Sequence, residues 1–193
     1  MWKVFRSAAD AGDAPEMSDV THTRPAAAAD LPVVARMAAT LVRMHHALDP
    51  GRFFVEEPIE PGYEGWLRRE IRREGAIVLV ATRGERVVGY AYGTLEGRDW
   101  ERLLDAHGAI HDVFVEEAVR RDRVGEILVE AITTALFAAG APRIVLSTAA
   151  RNEGAQSFFR ALGFRPTLLE LTRDAPPDER GRGRSHRGDP TRG

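Results

Sequence analysis

The chain of 193 residues contains no cysteine. That excludes disulfides, a thiol nucleophile and cysteine-ligated metal sites, and it fits a cytoplasmic location. Lysine is almost missing too: Lys3 is the only one, and every other basic side chain is arginine. With the abundant alanine, this reads as a base-composition bias and not as a functional signal. Neither charge is in large excess, the formal net charge being −2. A field strong enough to gather nucleic acid is not expected. No apolar run approaches the roughly 20 residues that span a bilayer, so no membrane partner is expected. GxGxxG is missing, as is GxxxxGK followed by Ser or Thr. Dinucleotide binding and nucleotide hydrolysis therefore lose their main support. His45 and His46 are adjacent and cannot share one helix face, and no third ligand stands at metal spacing, so no metal is expected.

What is present suits one packed domain: 44% hydrophobic and 29% charged residues. Residues 1–16 lack periodicity. Lys3 and Arg6 are not followed by the apolar stretch of about 7–15 residues that a signal peptide needs. The segment is expected to be a disordered extension or a start-site artefact, with Met17 as a second start. Residues 174–193 are rich in Arg, Gly and Pro without an apolar face, and are expected to be disordered.

Between them the pattern predicts a strand over Val20–Arg24, stopped by Pro25. Asp30 is a candidate N-cap with Pro32 in the first turn. The helix it opens carries Val33, Val34, Met37, Leu41, Val42 and Met44, and ends near Leu48 before Asp49-Pro50-Gly51. A second helix is expected over Tyr63–Glu74. Ile77–Thr82 and Arg86–Glu96 read as a hairpin turned by Arg83-Gly84-Glu85. Gly97–Ala109 reads as a loop with one helical turn at Trp100–Ala106. A strand follows from Ile110, then a helix from Gly125, a buried strand over Arg143–Thr148, a further helix and a last strand. This order predicts an α/β fold with a mixed sheet.

The run Ile110–Leu128 organises the rest. Ile110, Val113, Phe114 and Val115 suit a half-buried strand. Arg120, Arg121 and Arg123 follow, and then Ile127, Leu128, Ala131, Ile132, Ala135 and Leu136 recur at helical spacing. A helix N-terminus leaves amides unpaired and carries partial positive charge, so the basic loop beside it reads as a phosphate site. Arg120, Arg123 and Gly125 fall on a Gln/Arg-x-x-Gly-x-Gly/Ala pattern, with arginine in place of the middle glycine. Downstream, Asn152, Ala155, Phe158, Leu162, Gly163 and Phe164 match a second signature.

In order and separation the two signatures resemble those of the GNAT family, the GCN5-related N-acetyltransferases. The resemblance implies a GNAT domain over residues 17–173, with a mostly antiparallel central sheet flanked by helices. It also implies acetyl-CoA as cosubstrate. Backbone amides of Val113, Phe114 and Val115 would hold the pantetheine arm and polarise the thioester. Arg120, Arg121, Arg123, Val124, Gly125 and Glu126 would hold the pyrophosphate, and Asn152 would bond the pantetheine arm. The implied acceptor is a primary amine of a small molecule or protein, and a homodimer is an optional partner state.

For the base, His111 is favoured and Asp112 is the alternative. Strand alternation lets only one of them face the cleft. The position where the family often carries a tyrosine acid is Phe159, which cannot donate a proton. Tyr90 and Tyr92 are candidate substitutes. His45, His46, Asp49, Arg52, Phe53 and Phe54, between the first two helices, are candidates for the acceptor wall. Two readings follow: an N-acetyltransferase, or a catalytically weak acyl-CoA-binding sensor or interaction module.

Overall fold

The computed structural model describes residues 20–175. The expectations for residues 1–16, for Met17 and for most of the tail lie outside the described residues. The elements are β1 (Thr21–Pro25), α1 (Leu31–Leu48), α2 (Ile59–Glu70), β2 (Ala76–Arg83), β3 (Arg86–Glu96), β4 (His107–Val115), α3 (Val124–Ala138), β5 (Ile144–Leu146) and α4 (Glu153–Ala161). The sheet order is β1-β2-β3-β4-β5. The first three pairings are antiparallel and β4–β5 is parallel, the mixed, mostly antiparallel sheet expected.

Each face of the sheet has its own core. On one, Leu31, Val34, Met37 and Leu41 of α1 and Leu67 of α2 pack on Val78, Val80, Tyr90 and Phe114. On the other, Val124, Leu128, Ile132 and Leu136 of α3, spaced by fours, pack on Leu79, Val88, Ala91 and Ile110. Burying side chains of this size contributes about 1.5–3 kcal/mol each before entropy is counted. Helix α3 lies close because the sheet offers glycine beneath it. A Cβ on Gly93 would stand 2.8 Å from the Ala109 carbonyl oxygen and 3.1 Å from Ile132 Cδ1. On Gly89 it would stand 2.7 Å from the Phe114 carbonyl oxygen.

Several local expectations are corrected. Helix α2 starts earlier than Tyr63, directly after Pro58, and stops at Glu70 instead of Glu74. There Arg72 and Arg73 make tight-turn bonds to Arg69 and Glu70, and Gly75 is left-handed. Residues 100–106 form no helical turn. Asp99 pairs with Leu104 through two backbone bonds, and its carboxylate takes the amides of Glu101 and Arg102. Asp30 precedes α1 but its side chain does not cap it. Its carboxylate instead accepts from the Ala27 amide and the Arg24 guanidinium. Strand β5 is only three residues long and half-buried. The expected last strand does not form: residues 165–172 are exposed and join no ladder, with Leu168, Leu169 and Leu171 at 79%, 72% and 85% exposure.

Gly93→Ala is expected to destabilise the protein by about 1–3 kcal/mol, because the backbone oxygen facing the new methyl cannot give way. Chemical denaturation reads this as a lowered midpoint at unchanged slope. An unchanged midpoint would show that α3 can lift off the sheet freely.

Candidate active site

The β3–β4 ladder contains one residue too many. Tyr92 lies opposite Asp112 and Gly93 opposite Ile110, so His111 has no partner and forms a bulge. Without it, His111 and Asp112 would point to opposite faces. With it, both lie on the face covered by α1 and α2. The His111 ring stacks on Tyr92 at 5.1 Å between centroids and 28° between planes. Its Nε2 lies 2.7 Å from Thr94 Oγ1. Asp112 Oδ2 accepts from the Tyr90 hydroxyl at 3.0 Å. Tyr90, Tyr92 and Thr94 are alternate residues of β3, which fixes the face. The expectation that only one of His111 and Asp112 reaches the cleft is therefore corrected.

All three tyrosines of the chain gather here. Trp66 of α2 meets Tyr92 edge-on at 4.8 Å, and Tyr63 meets Trp66 at 5.4 Å. Tyr90 is fully buried and its pKa is raised well above the ordinary phenol value, by burial first and then by Asp112. Tyr92 is raised too, by burial and by its bond to Glu70. Both hydroxyls are committed to carboxylates, so neither supplies a free acid. Tyr63 is half-buried, with its pKa pushed up to about 12 by burial and by the charge of Asp112. Sequence reasoning passed over it because it stands at ordinary helical spacing. Burial raises Asp112, against the lowering effect of the Tyr90 bond. Burial lowers His111, and Arg73 and His107 add to this against Glu96 and Glu70.

Beside this face the sheet opens. β4 and β5 pair only from Gly108 to Ile110 and from Ile144 to Leu146. Beyond Leu146, β4 runs on to Val115 without β5, still paired with β3 on its other side. The Glu116 amide bonds to the Val88 carbonyl oxygen at 2.9 Å. By two-residue alternation the Phe114 amide also faces β3, whereas those of Val113 and Val115 point into the gap. Phe114 itself is buried in the core. Of the expected trio, Val113 and Val115 turn their amides into the gap and Phe114 does not.

At the end of the gap, Arg121 and Arg123 are left-handed, with φ of 77° and 62°. Arg123 thus adopts the conformation that glycine adopts readily, with its side chain swung out to Glu126 at 2.7 Å. The amides of Arg121, Arg123, Val124, Gly125 and Glu126 take no carbonyl among the described residues. Together they make a positive cradle at the N-terminus of α3. Arg83, almost fully buried, anchors this loop through Asp122 at 2.9 Å. Arg120 folds back, its Nε donating to the Val115 carbonyl at 3.2 Å. Gly125 faces α4: a Cβ there would meet Phe158 Cζ at 3.3 Å.

The remaining candidates divide. Asn152 caps α4, its Oδ1 accepting from the Ala155 amide at 3.0 Å. Phe159 packs between Phe158 and Phe164. In the α1–α2 connection, His46 Nδ1 lies 2.7 Å from the Phe53 carbonyl oxygen, and Asp49 holds the Gly51 amide. These two shape the loop. Arg151 donates to the Leu48 carbonyl at 3.1 Å, and Arg52 pairs with Glu170. Both contacts hold the loop at the gap's end of the sheet. His45 meets Phe53 at a tilt, 5.1 Å between ring centroids, and Phe54 is 82% exposed. Among the described residues no group of His, Cys, Asp or Glu could hold a metal, and no helix is long and apolar enough to cross a membrane. A hollow of about 340 Å³ between the start of α1 and the β2–β3 turn contains neither His111 nor the gap.

The model of the acetyltransferase (GNAT) family matches residues 41–164. The chain belongs to that family. The match runs from mid-α1 to Phe164 and so includes the bulge, the gap and the cradle. No curated protein matches the sequence. Among solved structures, a mutant of the BH1408 protein of Bacillus halodurans has a TM-score of 0.67 at 23% identity, covering 80% of this chain and 98% of its own. Aminoglycoside N-acetyltransferase AAC(6')-Iy, solved in complex with CoA, has a TM-score of 0.64 at 16% identity, covering 83% and 97%. Aminoglycoside 6'-N-acetyltransferase AAC(6')-IG of Acinetobacter haemolyticus gives 0.64 at 14%, covering 80% and 98%. At these identities the likeness establishes the fold.

In an NMR titration His111 is expected to change charge below the ordinary histidine value of about 6.5, and Asp112 above the ordinary aspartate value of about 3.9. Tyr90→Phe removes a donor that favours the carboxylate and so should move Asp112 further up. A downward move would mean that the Tyr90 bond does not stabilise the charged form.

Proposed function

We propose that the chain is an N-acetyltransferase that moves the acetyl group of acetyl-CoA to a primary amine of a small molecule or protein. One observation supports this reading: the bulge at His111 turns the His111 imidazole and the Asp112 carboxyl to one face of β4, beside a gap lined by backbone amides. The transfer needs a polarised thioester, an amine stripped of a proton and a stabilised leaving thiolate. Val113 and Val115 supply amides where the thioester oxygen gains charge. Arg121, Arg123, Val124, Gly125 and Glu126 form the cradle that suits a pyrophosphate, with Arg123 balancing the carboxylate of Glu126 and Arg120 bracing the end of β4. Asn152 uses its Oδ1 as a helix cap and keeps its amide N–H groups for the pantetheine arm.

His111 is the base. Burial lowers its pKa, so at neutral pH the imidazole is uncharged and has a lone pair for the amine's proton. Asp112, beside it and itself raised by burial, helps to place the amine. Tyr63, half-exposed over the same face, is the tyrosine available to protonate the thiolate. The α1–α2 connection with Arg52, Phe53 and Phe54 forms the outer wall of the acceptor site.

Calorimetry with coenzyme A is expected to show binding that weakens with added salt, because the cradle contacts are electrostatic. No heat at millimolar ligand would sink the assignment of the cradle. Over an amine panel, His111→Gln should lower kcat by about 10²–10⁴-fold. The wild-type rate should fall on acidification with an apparent pKa below about 6.5. A His111→Gln variant as fast as wild type would remove His111 as base.

The side chain of Phe159 favours a second reading, in which the domain binds acyl-CoA and turns it over weakly, if at all. Phe159→Tyr restores a hydroxyl at that position. If thiolate departure limits the rate, turnover should rise about tenfold. Equal rates in the two forms would mean that the missing hydroxyl does not limit catalysis.

A further inference from the structure

Thr94 and Glu96 lie behind His111 on β3, and neither belongs to the motifs or to the roles assigned above. Thr94 is fully buried, whereas the side chains of His111 and Glu96 are each 43% exposed. The Thr94 hydroxyl touches two groups: it donates to Glu96 Oε1, and it lies 2.7 Å from His111 Nε2. A hydroxyl has one hydrogen, and an ionised carboxylate can only accept. The hydrogen therefore goes to Glu96, and the lone pair left on Oγ1 requires a hydrogen on Nε2. A neutral imidazole carries one N–H, so Nδ1 is bare. Nδ1 takes no hydrogen bond among the described residues.

We infer that Thr94 and Glu96 set the tautomer of His111, holding the hydrogen on Nε2 so that Nδ1 is the atom that accepts the amine's proton. This rests on the reading of His111 as the base. Thr94 and Glu96 are positioning residues; neither reaches the reacting atoms. When an ammonium substrate gives its proton to Nδ1, the amine nitrogen forms its bond to the acetyl carbon and the C–S bond breaks. Tyr63 protonates the thiolate and regains its proton from the second amine hydrogen through water, and the imidazolium returns its proton to solvent. While His111 is charged, Nε2–H points through Thr94 toward Glu96, whose Oε1 is 3.9 Å from Nε2. The charged and titratable groups facing the ring are Glu96 and Tyr92 of β3, Glu70 of α2, Arg73 just beyond α2, and His107 and Asp112 of β4. Glu70 is occupied by Arg73 at 2.8 Å and by Tyr92 at 2.6 Å. Glu96 is the acid linked to the imidazole by a hydrogen bond chain.

The test uses the full chain labelled with ¹⁵N, with the His111 nitrogens assigned by their loss in His111→Gln. In the wild type near neutral pH, Nε2 should resonate as the protonated nitrogen and Nδ1 as the bare one. Thr94→Val keeps the shape and removes the acceptor, so the two tautomers should mix. Glu96→Gln can offer an N–H to Thr94 and turn the hydroxyl toward Nε2, which should also shift the balance. Because Glu96 is partly exposed, this variant reports even if Thr94→Val does not fold. In turnover, both variants should lower kcat about tenfold at unchanged KM and move the acid limb to lower pH, and Thr94→Ser should restore both. A wild-type His111 protonated on Nδ1, or an unaltered tautomer in Glu96→Gln, would overturn the inference. If no amine is turned over but the tautomer responds as described, the tautomer control stands and the catalytic reading falls.

Discussion

The close seating of α3 on the sheet governs the rest of the molecule. The helix can approach only because Gly89 and Gly93 leave room beneath Leu128, Ile132 and Leu136. Its buried stripe holds one of the two cores. Its N-terminus, fixed by that packing and by the Arg83–Asp122 anchor, presents the unpaired amides beside the end of β4. Core packing and the placing of these amides are thus one constraint. Whatever moves α3 along its axis moves the amide cradle against the β4–β5 gap.

The opposite face has a different character. Tyrosine, tryptophan, histidine and carboxylates meet there under α1 and α2, and nearly every hydroxyl has an assigned acceptor. Burial does most of the electrostatic work: it lowers the pKa of His111 and raises that of Asp112. Such a surface disfavours charge of either sign compared with one bathed in water. It is also rigid, because stacking and hydrogen bonds fix each ring.

The strand–loop–helix at the centre of the chain was legible in the sequence because its signals are local: β-branched residues, clustered arginines, then apolar residues every three or four. The sheet's mixed character followed from the succession of elements. The face on which His111 lies was not legible. A bulge is a mismatch between two strands, and neither strand alone records it. Likewise Thr94 and Glu96 read as ordinary strand residues, since their partner is a residue of the neighbouring strand. The shortness of β5 and the missing last strand have no local signal: Leu168, Leu169 and Leu171 have strand-like composition, yet they stay exposed and join no ladder. Helix α2 was misplaced at both ends because Pro58 and the tight turn before Gly75 outweighed its apolar periodicity.

The bulge also bears on how this strand can change over generations. Substitutions in β4 alter one side chain at a time and leave the others where they are. Removing His111 itself would close the ladder into regular alternation and leave Ile110 in the α3 core and Phe114 in the α1 core. The bulge is thus a place where the strand can change length without disturbing either core. What such a deletion loses is one of two neighbouring polar side chains on the α1 face, so a relative without the extra residue presents a single side chain there.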